Sequence, residues 1–123
     1  MKNLGQEEND FSFPQKLHKI RYLRDFRKLL KDGSLSFLPF GFIRSLENER
    51  GILRVAVSIS KRFSRKSTRR NRLKRVIVEM LRRNKNSLKG LDIWVFVNCR
   101  ISEDEVLREL QKFLEHMKTT ETS

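Results

Sequence analysis

The residues best suited to chemistry lie in one basic run, SKRFSRKSTRRNRLKR, which spans Ser60 to Arg75. From Lys61 to Arg75 the run holds nine Lys or Arg among fifteen residues and no acidic residue. Arg outnumbers Lys six to three, and the planar guanidinium binds phosphate through paired hydrogen bonds and stacks on bases. A run of this kind is suited to binding a polyanion.

Positive charge is concentrated in the middle of the chain. The 123 residues carry a net charge of +13. Residues 11–100 hold 24 basic and six acidic side chains, a net +18, whereas residues 1–10 contribute −2 and residues 101–123 contribute −3. This excess indicates a polyanionic partner, with nucleic acid favoured and an anionic membrane second.

The remaining composition excludes several other kinds of site. Cys99 is the only cysteine, so an internal disulfide and a Cys-rich zinc site are excluded. His18 and His116 are too isolated to suggest a metal cluster, and we expect no metal site and no firmly bound cofactor. No apolar run approaches the ~20 residues that span a bilayer, and the acidic N-terminus does not resemble a secretory signal, so we expect a cytoplasmic protein.

Hydrophobic periodicity places the basic run between a strand and a helix. In LRVAVSIS, valine and isoleucine alternate with Ala56, Ser58 and Ser60, so one strand face is core and the other is small and polar. A helix is predicted over about residues 69–84. Its apolar residues recur at helical spacing: Leu73, Val76, Ile77, Met80 and Leu81.

The cations of this run are not those of an ordinary solvated helix. Exposed helix faces usually mix signs, because acid–base pairs one turn apart stabilise the helix by ~0.2–0.5 kcal/mol each, yet no acid appears before Glu79. Arg69, Arg70 and Arg72 at the helix N-terminus oppose the macrodipole at a cost of roughly 0.3–1 kcal/mol each. A bound phosphate would reverse that penalty.

RNA is the polyanion that fits this context best. A membrane-binding helix would have no globular core to contact, whereas the apolar stripe here is flanked by strands that need it as core. A DNA-binding helix-turn-helix would place a second helix just upstream, where the strand LRVAVSIS lies instead.

Helices and strands alternate along the rest of the chain. The order is a helix, two or three strands, a helix, a strand and a helix, which predicts an α+β sandwich around a small mixed sheet. The predicted elements are a helix over 20–31, a strand over 37–45 that Pro39 and Gly41 mark as an edge or bulge, a hairpin turn at 47–51, a strand over 91–99, and a helix from the capping box at Ser102 and Glu105 to about Lys118. Residues 1–13 are predicted to be a flexible arm, 14–118 a single RNA-binding domain and 119–123 a disordered tail.

Four ordered motifs match one known family. Lys61-Arg62 closes a strand, a basic loop follows, and Arg70-Asn71-Arg72-Leu73-Lys74-Arg75 opens a helix. RDFRKLLKDG precedes this segment, RVAVSISK leads into it, and LDIWVFV follows it. In this order, over about residues 14–117, the chain resembles the protein subunit of bacterial ribonuclease P.

The resemblance implies a fold and a function. The fold would be an αβββαβα two-layer sandwich like that of some ribosomal proteins, with an unusual left-handed crossover at the basic helix. The chain would be the accessory subunit of an endoribonuclease that removes the 5′ leader from precursor tRNA. The catalytic RNA would perform the hydrolysis with Mg²⁺, this chain would supply no catalytic residue, and its partners would be that RNA and precursor tRNA, with no membrane and no obligate protein partner.

The resemblance also implies two sets of RNA-binding residues, one for the leader and one for the catalytic RNA. Phe26 would line a cleft for the single-stranded leader, with Phe40 or Phe42 as a second stacking platform and the small Ser58 and Ser60 allowing close approach. Contacts with the catalytic RNA are expected from the basic run: Lys61, Arg62, Arg65, Lys66, Arg69, Arg70, Asn71, Arg72, Lys74 and Arg75.

There are two alternative functions. One is a non-catalytic RNA-binding or ribosome-associated module of the same fold, which reconstitution with the catalytic RNA would distinguish. The other is a protein nuclease, which the sequence argues against, because Asp25, Asp32 and Asp92 stand alone rather than in a metal-binding cluster.

Overall fold

One five-stranded sheet carries three helices in the part of the chain that the structure describes. The computed structural model describes residues 17–122, with side chains described for residues 17–117. The predicted α+β class is confirmed, whereas the predicted arm at 1–13 lies outside the described residues. In chain order the elements are β1 (His18–Lys19), α1 (Leu23–Asp32), β2 (Ser34–Leu38), β3 (Gly41–Glu47), β4 (Arg54–Ile59), α2 (Ser67–Arg83), β5 (Leu91–Val97) and α3 (Glu103–Thr122).

The centre of the sheet is β5. The strand order is β1-β4-β5-β3-β2, and β5 pairs in parallel with β4 and antiparallel with β3. The predicted hairpin across residues 47–51 is therefore wrong, because β5 lies between β3 and β4. The sequence LDIWVFV places apolar side chains on both faces of β5, which suits a strand covered on both sides.

Two apolar layers lie on opposite faces of the sheet. On one face, α2 and α3 cover the larger core, and the predicted apolar stripe of α2 is buried there, with Leu73, Ile77 and Leu81 at 0% exposure. On the other face, α1 covers a smaller cluster. It consists of Ile20, Leu29 and Ala56, with Phe26, Leu46 and Trp94 packed against it.

The segment after α1 is a tight hairpin rather than the single strand predicted over 37–45. β2 and β3 pair antiparallel, with Pro39 and Phe40 in the turn between them. Gly41 follows with a φ of 154°, and a side chain there would collide with the carbonyl oxygen of Phe96. The turn places Phe40 in the larger core at 0% exposure.

Helix ends differ from the predictions by a few residues. α1 begins at Leu23 rather than near Ile20, because the Ile20 N–H donates to the Val55 carbonyl at 2.9 Å and so continues the pairing of β1 with β4. The predicted cap of α3 is confirmed, since Ser102 Oγ accepts a hydrogen bond from the Glu105 N–H at 3.1 Å. The α3 backbone continues to Thr122, a few residues beyond the predicted helix end at about Lys118.

Candidate nucleic-acid interface

The loop between β4 and α2 is held by its own side chains. Phe63 is 6% exposed and anchors the middle of the loop in the larger core. Ser60 Oγ accepts a hydrogen bond from the Arg62 N–H at 3.1 Å, and Ser64 Oγ accepts one from the Lys66 N–H at 3.2 Å. These short-range hydrogen bonds fix the backbone, so the basic side chains are displayed from an ordered loop.

Arg70 supports this loop from the first turn of α2. Its Nη1 donates to the carbonyl oxygens of Ser64 and Arg65 at 2.9 and 3.0 Å. Arg70 was predicted to contact RNA, and the structure gives it an intramolecular role in ordering the loop. Its half-buried side chain still lies at the edge of the basic surface.

Most predicted RNA-binding residues are exposed on one surface. This basic surface comprises the loop and the first turns of α2. Arg70 and Lys74 are half-buried, and the exposed members are Lys61, Arg62, Arg65, Lys66, Arg69, Asn71, Arg72 and Arg75.

The N-terminus of α2 is electrostatically suited to phosphate. Its first turn contains no acidic residue, and the N-cap Lys66 makes no side-chain capping hydrogen bond. Arg72 lies 3.6 Å from Glu103 of α3, yet 71% of its side chain is exposed. Because an exposed ion pair contributes only about 0–1 kcal/mol, Glu103 is a weak competitor for a phosphate.

Lys74 is half-buried and lies near a second positive charge, that of Lys19. Burial, and secondarily the charge of Lys19, lower the pKa of Lys74 below its ordinary value. A phosphate beside Lys74 would oppose both effects by stabilising the charged amine.

A second surface lies on the opposite face of the sheet, where α1 leaves part of the face uncovered. Ser58, Phe96 and Phe42 are paired neighbours on β4, β5 and β3. The Phe42 and Phe96 rings are 4.9 Å apart, and Phe26 of α1 stands edge-on to Trp94 at 5.0 Å. All four rings are half-buried, so this aromatic cleft offers partly exposed rings for base stacking.

The residues predicted to bind the leader do not all lie in the aromatic cleft. Phe26 and Phe42 lie in the aromatic cleft, and Ser58 lies on its floor beside Phe96. The prediction for Phe40 is wrong, because its side chain is fully buried on the other side of the sheet. Ser60 follows β4 at the rim, where its hydroxyl accepts the loop hydrogen bond described above.

Sequence reasoning missed three cleft residues. Trp94 donates through Nε1 to Ser58 Oγ at 3.0 Å, which fixes the indole on the cleft floor, and Phe96 lies beside Phe42. The signal was present in LDIWVFV, where aromatic residues alternate with aliphatic ones and so share one face. Arg44 lies in the same sheet face, with its guanidinium carbon 5.7 Å from the centre of the Phe42 ring.

A nearly buried ion-pair network fixes α1 against the sheet. Arg54 on β4 donates to both carboxylate oxygens of Asp92 on β5, at 2.8 and 2.6 Å. Its Nη1 also lies 3.3 Å from the carboxylate of Asp25, which precedes Phe26 on α1. The hydrogen bond to Asp92 is the main effect that raises the pKa of Arg54. Burial lowers this pKa, but the charges of Asp92 and Asp25 act with the hydrogen bond and outweigh it. The network therefore sets the distance of Phe26 from the cleft floor.

Two kinds of site were not found in the described part of the chain. Among residues 17–122, no group of three or more His, Cys, Asp or Glu side chains is arranged to hold a metal ion. None of the helices described there is both long and apolar enough to cross a membrane.

Comparisons with known proteins identify the family. The family model for Ribonuclease P matches residues 13–118. The ribonuclease P protein component of Thermotoga maritima is 33% identical over 87 residues, which cover 70% of this chain and 74% of that protein. That of Nitrosomonas europaea is 49% identical over 78 residues, covering 60% and 62%. The solved ribonuclease P protein of Thermotoga maritima superposes with a TM-score of 0.67 at 29% identity, covering 80% of this chain and 96% of that one.

These matches extend over the elements that carry the basic surface and the aromatic cleft, as the ordered motifs predicted. They favour a subunit of ribonuclease P over a ribosome-associated module of the same fold. The chain therefore belongs to the ribonuclease P protein family.

Proposed function

We propose that this chain assists a catalytic RNA in removing the 5′ leader from precursor tRNA in the cytoplasm. One observation carries the proposal: the basic surface and the aromatic cleft meet where β4 ends. Ser58 on the cleft floor, Ser60 at the rim and the first loop cation, Lys61, follow one another within four residues. A folded RNA bound at the basic surface would thus lie beside a strand bound in the cleft.

The basic surface is suited to the RNA subunit. It combines a fixed loop, exposed Arg and Lys side chains, and a helix N-terminus without acids. These features bind phosphates through charge and free N–H groups without reading base sequence, which suits a structured RNA held by its backbone.

The aromatic cleft is suited to the single-stranded leader. Partly exposed rings stack on bases of any sequence, at ~1–3 kcal/mol per base. The floor beside Phe96 is the small side chain of Ser58, so a nucleotide chain can approach the sheet closely. The cleft would therefore favour substrates that carry a leader over mature tRNA.

The hydrolysis is assigned to the RNA subunit and its bound Mg²⁺. Asp25 and Asp92, which are isolated aspartates in the sequence, are both held by Arg54 on the α1 side of the sheet. This supports a role for the chain in binding and positioning rather than in the hydrolysis itself.

Reconstitution tests the proposal. The protein is added to its cognate catalytic RNA at low Mg²⁺, and leader cleavage and affinity are measured for precursor and mature tRNA. We expect the protein to raise cleavage and to tighten binding of the precursor. Absence of both gains would refute the proposal, and so would cleavage by the protein alone after all RNA has been removed.

Phe26→Ala tests the leader role of the cleft. We expect this variant to lose affinity for the precursor while its affinity for mature tRNA is retained, because the partly exposed ring would stack on the leader, which mature tRNA lacks. Phe40→Leu is the matched control, since it alters a buried ring on the opposite face and should leave the preference for the precursor unchanged. Equal losses for both tRNAs in the Phe26 variant would contradict a leader platform.

A further inference from the structure

Phe37 is an exposed aromatic residue on the edge strand β2. Its side chain is 79% exposed, more than the neighbouring Leu35 at 40%. Edge strands are usually protected by charges, yet β2 has the sequence SLSFL. An open, uncharged sheet edge that exposes both Phe37 and Leu35 is available to a partner, and the neighbouring residues decide which partner fits.

The strand register connects Phe37 to the aromatic cleft. Phe37 is the paired neighbour of Phe42, which is the paired neighbour of Phe96, which in turn is paired with Ser58. These four residues form one row across β4, β5, β3 and β2. At a strand spacing of about 4.8 Å the row is roughly 14 Å long. Phe37 therefore continues the cleft floor to the edge of the sheet.

Arg44 places a positive charge beside this row. On β3 it is two residues from Phe42, and so it is a diagonal neighbour of Phe37, at roughly 7–8 Å on the same face. Its Nη1 makes one long hydrogen bond, 3.3 Å to the Leu30 carbonyl, and its buried Nε has no hydrogen-bond partner. Within residues 17–117 no acidic side chain forms an ion pair with it. The guanidinium thus has unused capacity to bind an anion.

We propose that the leader crosses the whole sheet, so that a nucleotide beyond the aromatic cleft stacks on Phe37 and an adjacent phosphate binds Arg44. This inference rests on the proposed function, which places the precursor near the end of β4. The leader then runs from Ser58 toward β2, and the nucleotides at Phe37 are those farthest from the cleavage site.

The chemistry of this surface favours RNA over a second copy of the chain. Each chain carries a net charge of +13, which opposes association of two copies and attracts a polyanion. A base would cover the exposed ring and its phosphate would bind the Arg44 guanidinium, which forms no ion pair within residues 17–117. A second copy would bring another Arg44 to the same place.

The experiment is a leader-length series with the reconstituted holoenzyme. Affinity is measured for precursor tRNAs whose leaders grow one nucleotide at a time. Wild type should gain affinity in two steps, one as the leader fills the cleft and another when it reaches Phe37. Phe37→Leu should lose only the second step, by about 5- to 100-fold, because leucine retains apolar area but lacks a stacking face. Phe37→Tyr should retain it.

Arg44→Met provides an independent measurement. For long leaders it should lower the slope of log affinity against log salt by about 0.7, the value for one phosphate of a single strand. For leaders too short to reach Arg44 on β3 the slope should not change. A slope that changes equally at all lengths, or not at all, would overturn the assignment of Arg44.

The outcomes separate the two proposals. If wild-type affinity does not depend on the presence of a leader, the proposed function itself fails. If affinity depends on the leader but Phe37→Leu matches wild type at every length, only the crossing to β2 fails. Sedimentation of the free protein tests the other occupant: a wild-type dimer that Phe37→Leu converts to a monomer would overturn the inference.

Discussion

Replacing Arg54 with methionine should destabilise the fold because it leaves a carboxylate nearly buried without its cation. The Arg54 and Asp92 side chains are 12% and 6% exposed, and two short hydrogen bonds join them. Asp92 would keep only the hydrogen bond from Asn48 Nδ2, at 2.8 Å. Removing one partner of a buried pair typically costs ~3–5 kcal/mol.

A double variant separates the loss of a contact from the burial of an unpaired charge. Arg54→Met with Asp92→Leu removes the closer ion pair and keeps the apolar volume, so much of the lost stability should return, although Asp25 still lacks its cation. Asn48 would then retain its hydrogen bond to the Ile52 carbonyl at 3.0 Å. Asp25→Asn should cost less than Arg54→Met, because Asp25 is joined to Arg54 by a single 3.3 Å contact.

Urea denaturation followed by circular dichroism measures these free energies of unfolding. In thermal melts the Arg54→Met variant should unfold roughly 10–20 °C below wild type, given a few degrees per kcal/mol for a chain of this size. Two results would refute this reasoning: a loss in the free energy of unfolding below about 1 kcal/mol, or a double variant as unstable as the single one. Either would mean that the Arg54 ion pairs contribute no more than exposed ones.

Two further predictions concern the basic surface and the aromatic cleft. Arg72→Ala should lower the slope of log affinity for the catalytic RNA against log salt by roughly 0.7–0.9. The matched control is Arg83→Ala, which lies at the other end of α2 and is 72% exposed. If the Arg72→Ala slope equals the wild-type slope, Arg72 contacts no phosphate. Trp94 is the only tryptophan, so its fluorescence should change when the protein binds precursor tRNA and much less with mature tRNA; equal changes would place the leader elsewhere.

Local patterns in the sequence were sufficient for the helices and for the basic surface. The apolar residues of α2 recur with the helical period, and the capping box at Ser102 is a short-range signal. The loop of the basic surface was found because charge density and motif order are properties of contiguous residues. Its internal anchors, Phe63 and the hydrogen bonds of Arg70, depend on folded geometry and were not predicted.

Pairing between distant strands could not be obtained in the same way. Residues 47–51 have the composition of a hairpin turn, yet β5 takes the central place because both of its faces are apolar. The turn at Pro39 and Phe40 interrupts an alternation that otherwise continues to Phe42, and so Phe40 was assigned to the wrong side. Trp94 was missed because the sequence of an apolar strand is the same whether the face that carries its aromatic residue is covered or open to solvent.

The alternation of faces along β4 restricts where the chain can change length. Adding or deleting one residue within β4 would exchange the buried valines for Ala56 and Ser58, and so would spoil the core and the cleft together. Length can vary safely only where the backbone leaves the sheet. Around Glu49 and Gly51, at the end of β4 away from the loop, the residues are exposed and no other atom lies within 4 Å of a side chain placed at Gly51. We therefore expect that turn to tolerate natural insertions and engineered tags. The same insertion between Lys61 and Lys66 would displace the cations of the basic surface.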